Sequence, residues 1–338
     1  MESTFNRYRL PILAIVILFF IWGIFGAMDF GNRVQLGYST DNNFNIIEVE
    51  SGSPAETAGL LVGDQIKRID GIDMDDSKSW NEKARPAIGE TRTFLVDRQG
   101  EEVEIQATFA RLSGSDMMLN YAGFVLGIIF FLTGLWIFRT NNTKAGLLFA
   151  LFAVLFGSNF FAGPYIEAPF LRNLTNSISL WLLLLGFAYL VNFLLHYPAQ
   201  RDLLNKSSTR WLIFAPAILL AVLITILNLF QPESSSTLRT LVNLLVGIVV
   251  LFYFVWAIIL MAQSYNRAST EERNTKGLNL MLVGVILGLL PIIIVVLVQT
   301  LAPQIIVPGG NYAFLFLALI PILFALALRK GEAVIATS

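Results

Sequence analysis

Eight long stretches free of Asp, Glu, Lys and Arg constrain this chain more than any other feature. They cover residues 10–28, 118–138, 145–165, 177–197, 211–230, 241–262, 277–301 and 312–328. Hydrocarbon about 30 Å thick is crossed by roughly 20 helical residues whose backbone groups bond internally, so each stretch reads as a transmembrane helix. The composition agrees. Apolar residues make up 55% of the chain and charged ones only 14%, outside the range of an ordinary soluble domain. A net charge of -1 gives no reason to expect nucleic acid as a partner. Cysteine is absent, which removes disulfides, thiol nucleophiles and cysteine-based metal sites.

A cleavable signal peptide competes with an anchor for residues 10–28. The stretch is longer than a usual signal core, and Phe25-Gly26-Ala27 is a poor small-x-small exit, so an uncleaved anchor is expected. Orientation follows from Lys and Arg in the short connections. Arg7, Arg9, Arg139, Lys144, Arg201, Lys206, Arg210, Arg267, Arg273, Lys276, Arg329 and Lys330 fall on one side; Arg172 and Arg239 fall on the other. Twelve against two predicts cytoplasmic ends (residues 1–9 and 329–338), a seven-helix bundle over 118–328, and an extracytoplasmic segment at 31–112. The location expected is the plasma membrane, the inner membrane in a bacterium.

Residues 31–112 alone read as water-soluble. Phe44, Ile46, Ile47 and Val49 form a β-rich run broken by Gly52-Ser53-Pro54. Ser53 is placed as an N-cap, Pro54 suits a first helical turn, Glu56 holds the capping-box position and Gly59 stops the helix. Strands are predicted around Ile66, Ile69, Leu95, Val96, Val103 and Ile105, with turns at Asp70-Gly71 and Gln99-Gly100. A longer helix is predicted over 77–84, closed before Pro86.

The ordered set Gly52-Ser53-Pro54-Ala55, Ala58-Gly59-Leu60, Gly63-Asp64 and Asp70-Gly71 resembles the PDZ domain of bacterial periplasmic and intramembrane proteases. The fold class implied is a multi-pass α-helical membrane protein, about eight helices, carrying one small β-sandwich or barrel with two helices. A PDZ domain takes up an extended peptide as an added strand and holds its terminal carboxylate on backbone amides. That resemblance places the carboxylate loop at Leu36-Gly37-Tyr38, with Ser39 next in the receiving strand, and the opposite wall at Trp80 and Ala84. The alternatives are that Leu36 and Tyr38 belong to the core of the first strand, and that Trp80 and Ala84 are core as well. No histidine begins the 77–84 helix, so a preference for Ser/Thr-containing tails is not expected.

No catalytic, cofactor or metal residue is expected. An intramembrane zinc protease needs His-Glu-x-x-His, and this chain holds one histidine, His196. A dyad of His196 with Ser158 fails on depth. Ser158 lies roughly 20 Å along its helix from Lys144, at 1.5 Å per residue, whereas His196 ends the next span beside the cytoplasmic loop. His196-Tyr197 is expected to anchor a span at the interface, the alternative being a buried role bonding Asn192. With no ionisable group at mid-membrane, ion-coupled transport has no charge partner; a carrier of a neutral solute stays open. Gly123-x-x-x-Gly127 and Gly284-x-x-x-Gly288 are expected to permit close packing within one bundle. Pro216, Pro291 and Pro321 are expected to kink their helices.

The layout as a whole resembles the input half of competence-pheromone-type receptor histidine kinases: an anchor, an extracytoplasmic PDZ-like domain, then a multi-span bundle. Leu36-Gly37, Gly63-Asp64, the 193–198 exit and Gly310-Asn311-Tyr312 carry that likeness. That family continues into a phosphoacceptor helix and an ATP-binding domain, whereas this chain ends eight residues after Lys330. The expectation is therefore a non-enzymatic sensory or adaptor protein, or a truncated sensor. It would bind a peptide or protein tail and work through a separate kinase, regulator or protease. The alternative is an accessory subunit that presents substrates to a membrane protease.

Overall fold

The computed structural model describes residues 2–41, 43–230, 236–301 and 307–337. Helix α1 (Glu2–Met28) leads into a compact strand-rich region. There follow β1 (Val34–Gln35), β2 (Tyr38–Thr40), β3 (Ile46–Val49), helix α2 (Pro54–Ala58), β4 (Gln65–Ile69), β5 (Ile72–Asp73), helix α3 (Ser77–Glu82), β6 (Thr91–Arg98), β7 (Glu101–Thr108) and β8 (Ala110–Arg111). The strands form a four-stranded sheet in the order β5-β4-β6-β7 and two antiparallel pairs, β2 with β3 and β1 with β8. Alternating inward residues, among them Ile46, Leu60, Ile66, Phe94 and Val96, fill its core.

Local chemistry explains these elements. The Ser53 hydroxyl accepts from the Glu56 amide, and the Glu56 carboxylate reaches back to the Gly52 amide at 2.6 Å. Gly59 ends α2 at φ +87°, a left-handed conformation that costs a Cβ-bearing residue energy. Asp70-Gly71 and Gln99-Gly100 both turn with two consecutive positive φ angles, the geometry that tight hairpins require. Asp64 is 1% exposed and forms a two-pronged ion pair with Arg98 (2.7 and 2.8 Å) while accepting from the Leu61 amide. These bonds hold the Asp64 carboxyl below its ordinary range, the hydrogen bond to Arg98 contributing most.

The bundle comprises α4 (Gly114–Thr140), α5 (Lys144–Gly157), α6 (Pro169–His196), α7 (Ser207–Phe230), α8 (Ser236–Arg267), short α9 (Thr270–Thr275), α10 (Leu278–Leu301) and α11 (Leu319–Thr337). Among the described residues seven helices are long and apolar enough to cross a membrane, counting the 3-10 turns that extend α1 and precede α11. The eighth expected span, 145–165, is not confirmed as a helix of that length. The 145–165 stretch is a shorter apolar helix, Lys144–Phe160, and then an extended run. The reason lies in its neighbours. Phe161 occupies space left by Gly23 on α1 and Gly127 on α4, where an added Cβ would come within 2.8 Å of its ring. Gly26 faces the Ala162 carbonyl and Gly163 faces the Trp22 indole. Pro164 follows, unable to donate a helical hydrogen bond.

Glycines elsewhere admit helices of the same chain. Gly284 and Gly288 on α10 face Leu323 and Ile320 on α11, so this pair packs inside one bundle as expected. Pro216 lies inside α7, and beside it Tyr253 of α8, fully buried, donates to the Ile213 carbonyl (2.6 Å) and accepts from the Ala217 amide (3.2 Å), tying the two helices together at the proline.

The helix termini sort into two groups. At one end Arg201 bonds Gln263 and Ser264, the Tyr197 hydroxyl reaches the Lys276 carbonyl, and Arg329 stacks on Trp136. At the other end, Asp29, Tyr165 and Arg172 meet the strand-rich region.

Candidate peptide-binding site

The Leu36-Gly37-Tyr38 loop is shaped by its two carbonyls. The Leu36 carbonyl accepts from the Ala55 amide of α2 (2.8 Å), and the Gly37 carbonyl accepts from the Glu50 amide (2.9 Å). In a trans peptide the C=O and the following N–H point in opposite directions. Both carbonyls are directed into the domain, so the Gly37 and Tyr38 amides are directed out of it. Gly37 adopts φ +77°, and a Cβ there would lie 2.5 Å from the Ser53 Cβ and 3.0 Å from the Glu50 carboxylate. Glycine alone satisfies this position.

Strand β2 is bonded to β3 on one side only, and among the described residues its other edge is unpaired. Two outward amides therefore stand at the head of a free strand edge. Such an arrangement can hold a terminal carboxylate and accept an added strand. The Leu36 side chain is core, 4% exposed, so this residue serves packing through its side chain and the loop through its backbone. Tyr38 is partly buried, edge-on to Phe94 at 6.2 Å between ring centres. Ser39 is exposed.

The opposite wall differs from expectation. Helix α3 ends at Glu82, and Lys83 is already extended (ψ 131°), so Ala84 is not one helical turn beyond Trp80. Ala84 lies past the helix, exposed, its carbonyl accepting from Arg92 at 3.0 Å. The physical cause is a tether. Arg85 pairs with Asp29 at 2.7 and 3.0 Å, and its amide donates to the Tyr165 hydroxyl at 2.8 Å. These bonds draw the chain off the helix toward the bundle. Asp29 in turn raises the Arg85 pKa above its ordinary value. Trp80 keeps its place on α3, its indole donating to the Asp73 carbonyl at 2.9 Å.

Trp80 also lines a cavity of about 460 Å³ together with Phe44, Met74 and Asn81; the remaining walls are Arg172, Asn173 and Asn176 of α6 and Asn228 of α7. Arg172 donates to the Asn81 and Ile166 carbonyls and to the Tyr165 hydroxyl. Sequence reasoning missed these bundle residues. In the sequence Arg172 stands only as one of two cations against the charge bias, and nothing local ties it to the PDZ domain.

Residues 30–108 match the PDZ domain family. This segment is a PDZ domain. Domains of this family bind peptide or protein partners in general. No curated protein and no solved structure matches the chain. The likeness of the whole layout to a receptor input module therefore rests on the order of the sequence motifs.

Ser158 and His196 do not meet. Ser158 follows α5 at the end nearer the PDZ domain, its hydroxyl donating to the Leu155 carbonyl. Its neighbour Phe156 packs on Gly186, ten residues and therefore about 15 Å of helix from His196. The His196 Nδ1 lies 2.8 Å from the Asn192 carbonyl oxygen, the one-turn contact weighed above.

Proposed function

We propose that this chain is a membrane sensory or adaptor protein with no catalytic machinery of its own. Its PDZ domain takes up the C-terminal tail of a peptide or protein as a strand added to β2, and the helical bundle relays or scaffolds that event. The observation that carries this reading is the pair of outward amides at Gly37 and Tyr38, heading a strand edge that no described residue occupies. The Lys/Arg distribution supports a PDZ domain outside the cytoplasm, where an extracytoplasmic tail would be the ligand.

The test is a screen of free-C-terminus peptides against the full chain in nanodiscs, repeated with Gly37→Trp. Binding is expected for the unaltered chain and lost in the variant; binding that survives Gly37→Trp removes the loop from the site. Protease treatment of right-side-out vesicles is expected to cleave the PDZ segment, and protection would overturn its placement. Co-purification separates the two partner classes: a kinase or regulator supports the sensory reading, a protease the accessory-subunit reading.

A further inference from the structure

The bundle lines a cavity beside the PDZ domain, and among the described residues its charged contribution there is Arg172. An added strand whose carboxylate sits on the Gly37 and Tyr38 amides runs along β2 toward Thr40 and the turn that follows. Phe44 stands at that turn, held at φ +62° by hydrogen bonds of its amide to the Asp41 carbonyl and of its carbonyl to the Ile66 amide. A bulky residue rarely adopts this conformation, and its strain is tolerated where surroundings enforce it. Phe44 forms one wall of the cavity between the PDZ domain and the bundle.

Arg172 is the one charged residue among the described residues that line this cavity. Its bonding partners, the Asn81 and Ile166 carbonyls and the Tyr165 hydroxyl, are all neutral. Asn176, exposed on the same face of α6, adds an amide to the lining. Among the described residues this guanidinium is fixed by neutral oxygens and pairs with no carboxylate, and a carboxylate is the group whose geometry it matches.

We propose that the cavity receives an acidic side chain of the ligand segment preceding the captured tail, with Arg172 as its counter-ion. The proposal rests on tail capture along β2. At about 3.3 Å per strand residue the acid falls roughly four to six positions before the terminal residue. Selectivity would then be divided, the PDZ domain reading the terminus and α6 reading charge upstream.

The test uses the full chain in nanodiscs and two pools of free-C-terminus peptides, randomised at the tail. One pool carries Glu, the other Gln, scanned over the upstream positions. The Glu pool is expected to bind about tenfold tighter at one register. That ratio should fall to near one in Arg172→Gln and turn in favour of Gln over Glu in Arg172→Glu. Because Arg172 also joins the PDZ domain to the bundle, Asn176→Asp provides a second reading. It adds a competing carboxylate without touching the junction bonds, and is expected to reduce the Glu preference severalfold. Equal binding of the two pools, or a preference that survives Arg172→Gln, overturns this proposal and leaves tail capture standing. No binding of either pool at any register overturns tail capture itself, and this inference with it.

Discussion

The PDZ domain and the bundle are built by opposite means within one chain. The PDZ domain is small and irregular, and charged groups lock its turns: Asp64 with Arg98, Asp70 with Lys83, the Glu56 carboxylate on the Gly52 amide. Above residue 116 the apolar spans do without that device, which returns only outside them, as in the Glu272–Lys276 pair of α9. Their spans contain no Asp, Glu, Lys or Arg, and they fit together by Phe rings set against glycines, such as Phe161 against Gly23 and Gly127. The difference follows from the two solvents. Water screens and rewards charge, so an ion pair can specify a turn; hydrocarbon penalises it, so shape and a few hydrogen bonds must specify the packing. At the junction both devices meet, with Arg85 and Arg172 on or near the PDZ domain bonded to Asp29 and Tyr165 at the helix ends.

This contrast is most sharply broken at Asp64. Asp64→Ala is expected to cost the PDZ domain about 3 kcal/mol or more, because it leaves the Arg98 guanidinium without its partner; hydrogen exchange of the β4 and β6 amides measures it. Acid should act in the same direction. The folded carboxyl of Asp64 titrates below its ordinary range, so its stabilisation is complete above about pH 4 and is lost as pH falls through the lower folded value. The bundle spans, lacking carboxylates, should show no matching decline. Arg85→Ala comes next, at about 2 kcal/mol of junction stability, read as faster exchange around Tyr165 with the PDZ core unchanged. Tyr253→Phe tests the bundle's own device. Losing its bonds to the Ile213 carbonyl and the Ala217 amide should cost about 1 kcal/mol, measured by unfolding in bicelles. Smallest is Arg68→Ala, which removes an exposed pair with Asp73, its side chains 49% and 70% accessible; it should shift stability by less than about 0.5 kcal/mol.

Much of both regions was legible because the determinants are local. Ser53, Pro54, Glu56 and Gly59 specify α2 within seven residues, and Asp70-Gly71 specifies a hairpin in two. A stretch such as 241–262 needs no context to be read as a span. The loop at Gly37 was found from its motif, but the direction of its amides depended on partners at Glu50 and Ala55. Helix α3 was read two residues too long since nothing between Ser77 and Ala84 announces that Arg85 is pulled toward Asp29, 56 positions earlier.

What the amino-acid order determined by itself is the class of each region: which segments enter hydrocarbon, which fold in water, and where the PDZ turns fall. Periodicity, caps and turn residues act over a few positions, so no partner is needed to read them. Tertiary structure alone decided that the 145–165 stretch stops short as a helix, that Ala84 lies past α3, and that Arg172 lines the cavity beside Trp80. Those outcomes depend on which distant side chains and backbone groups come within bonding distance, and only the packed chain brings them there.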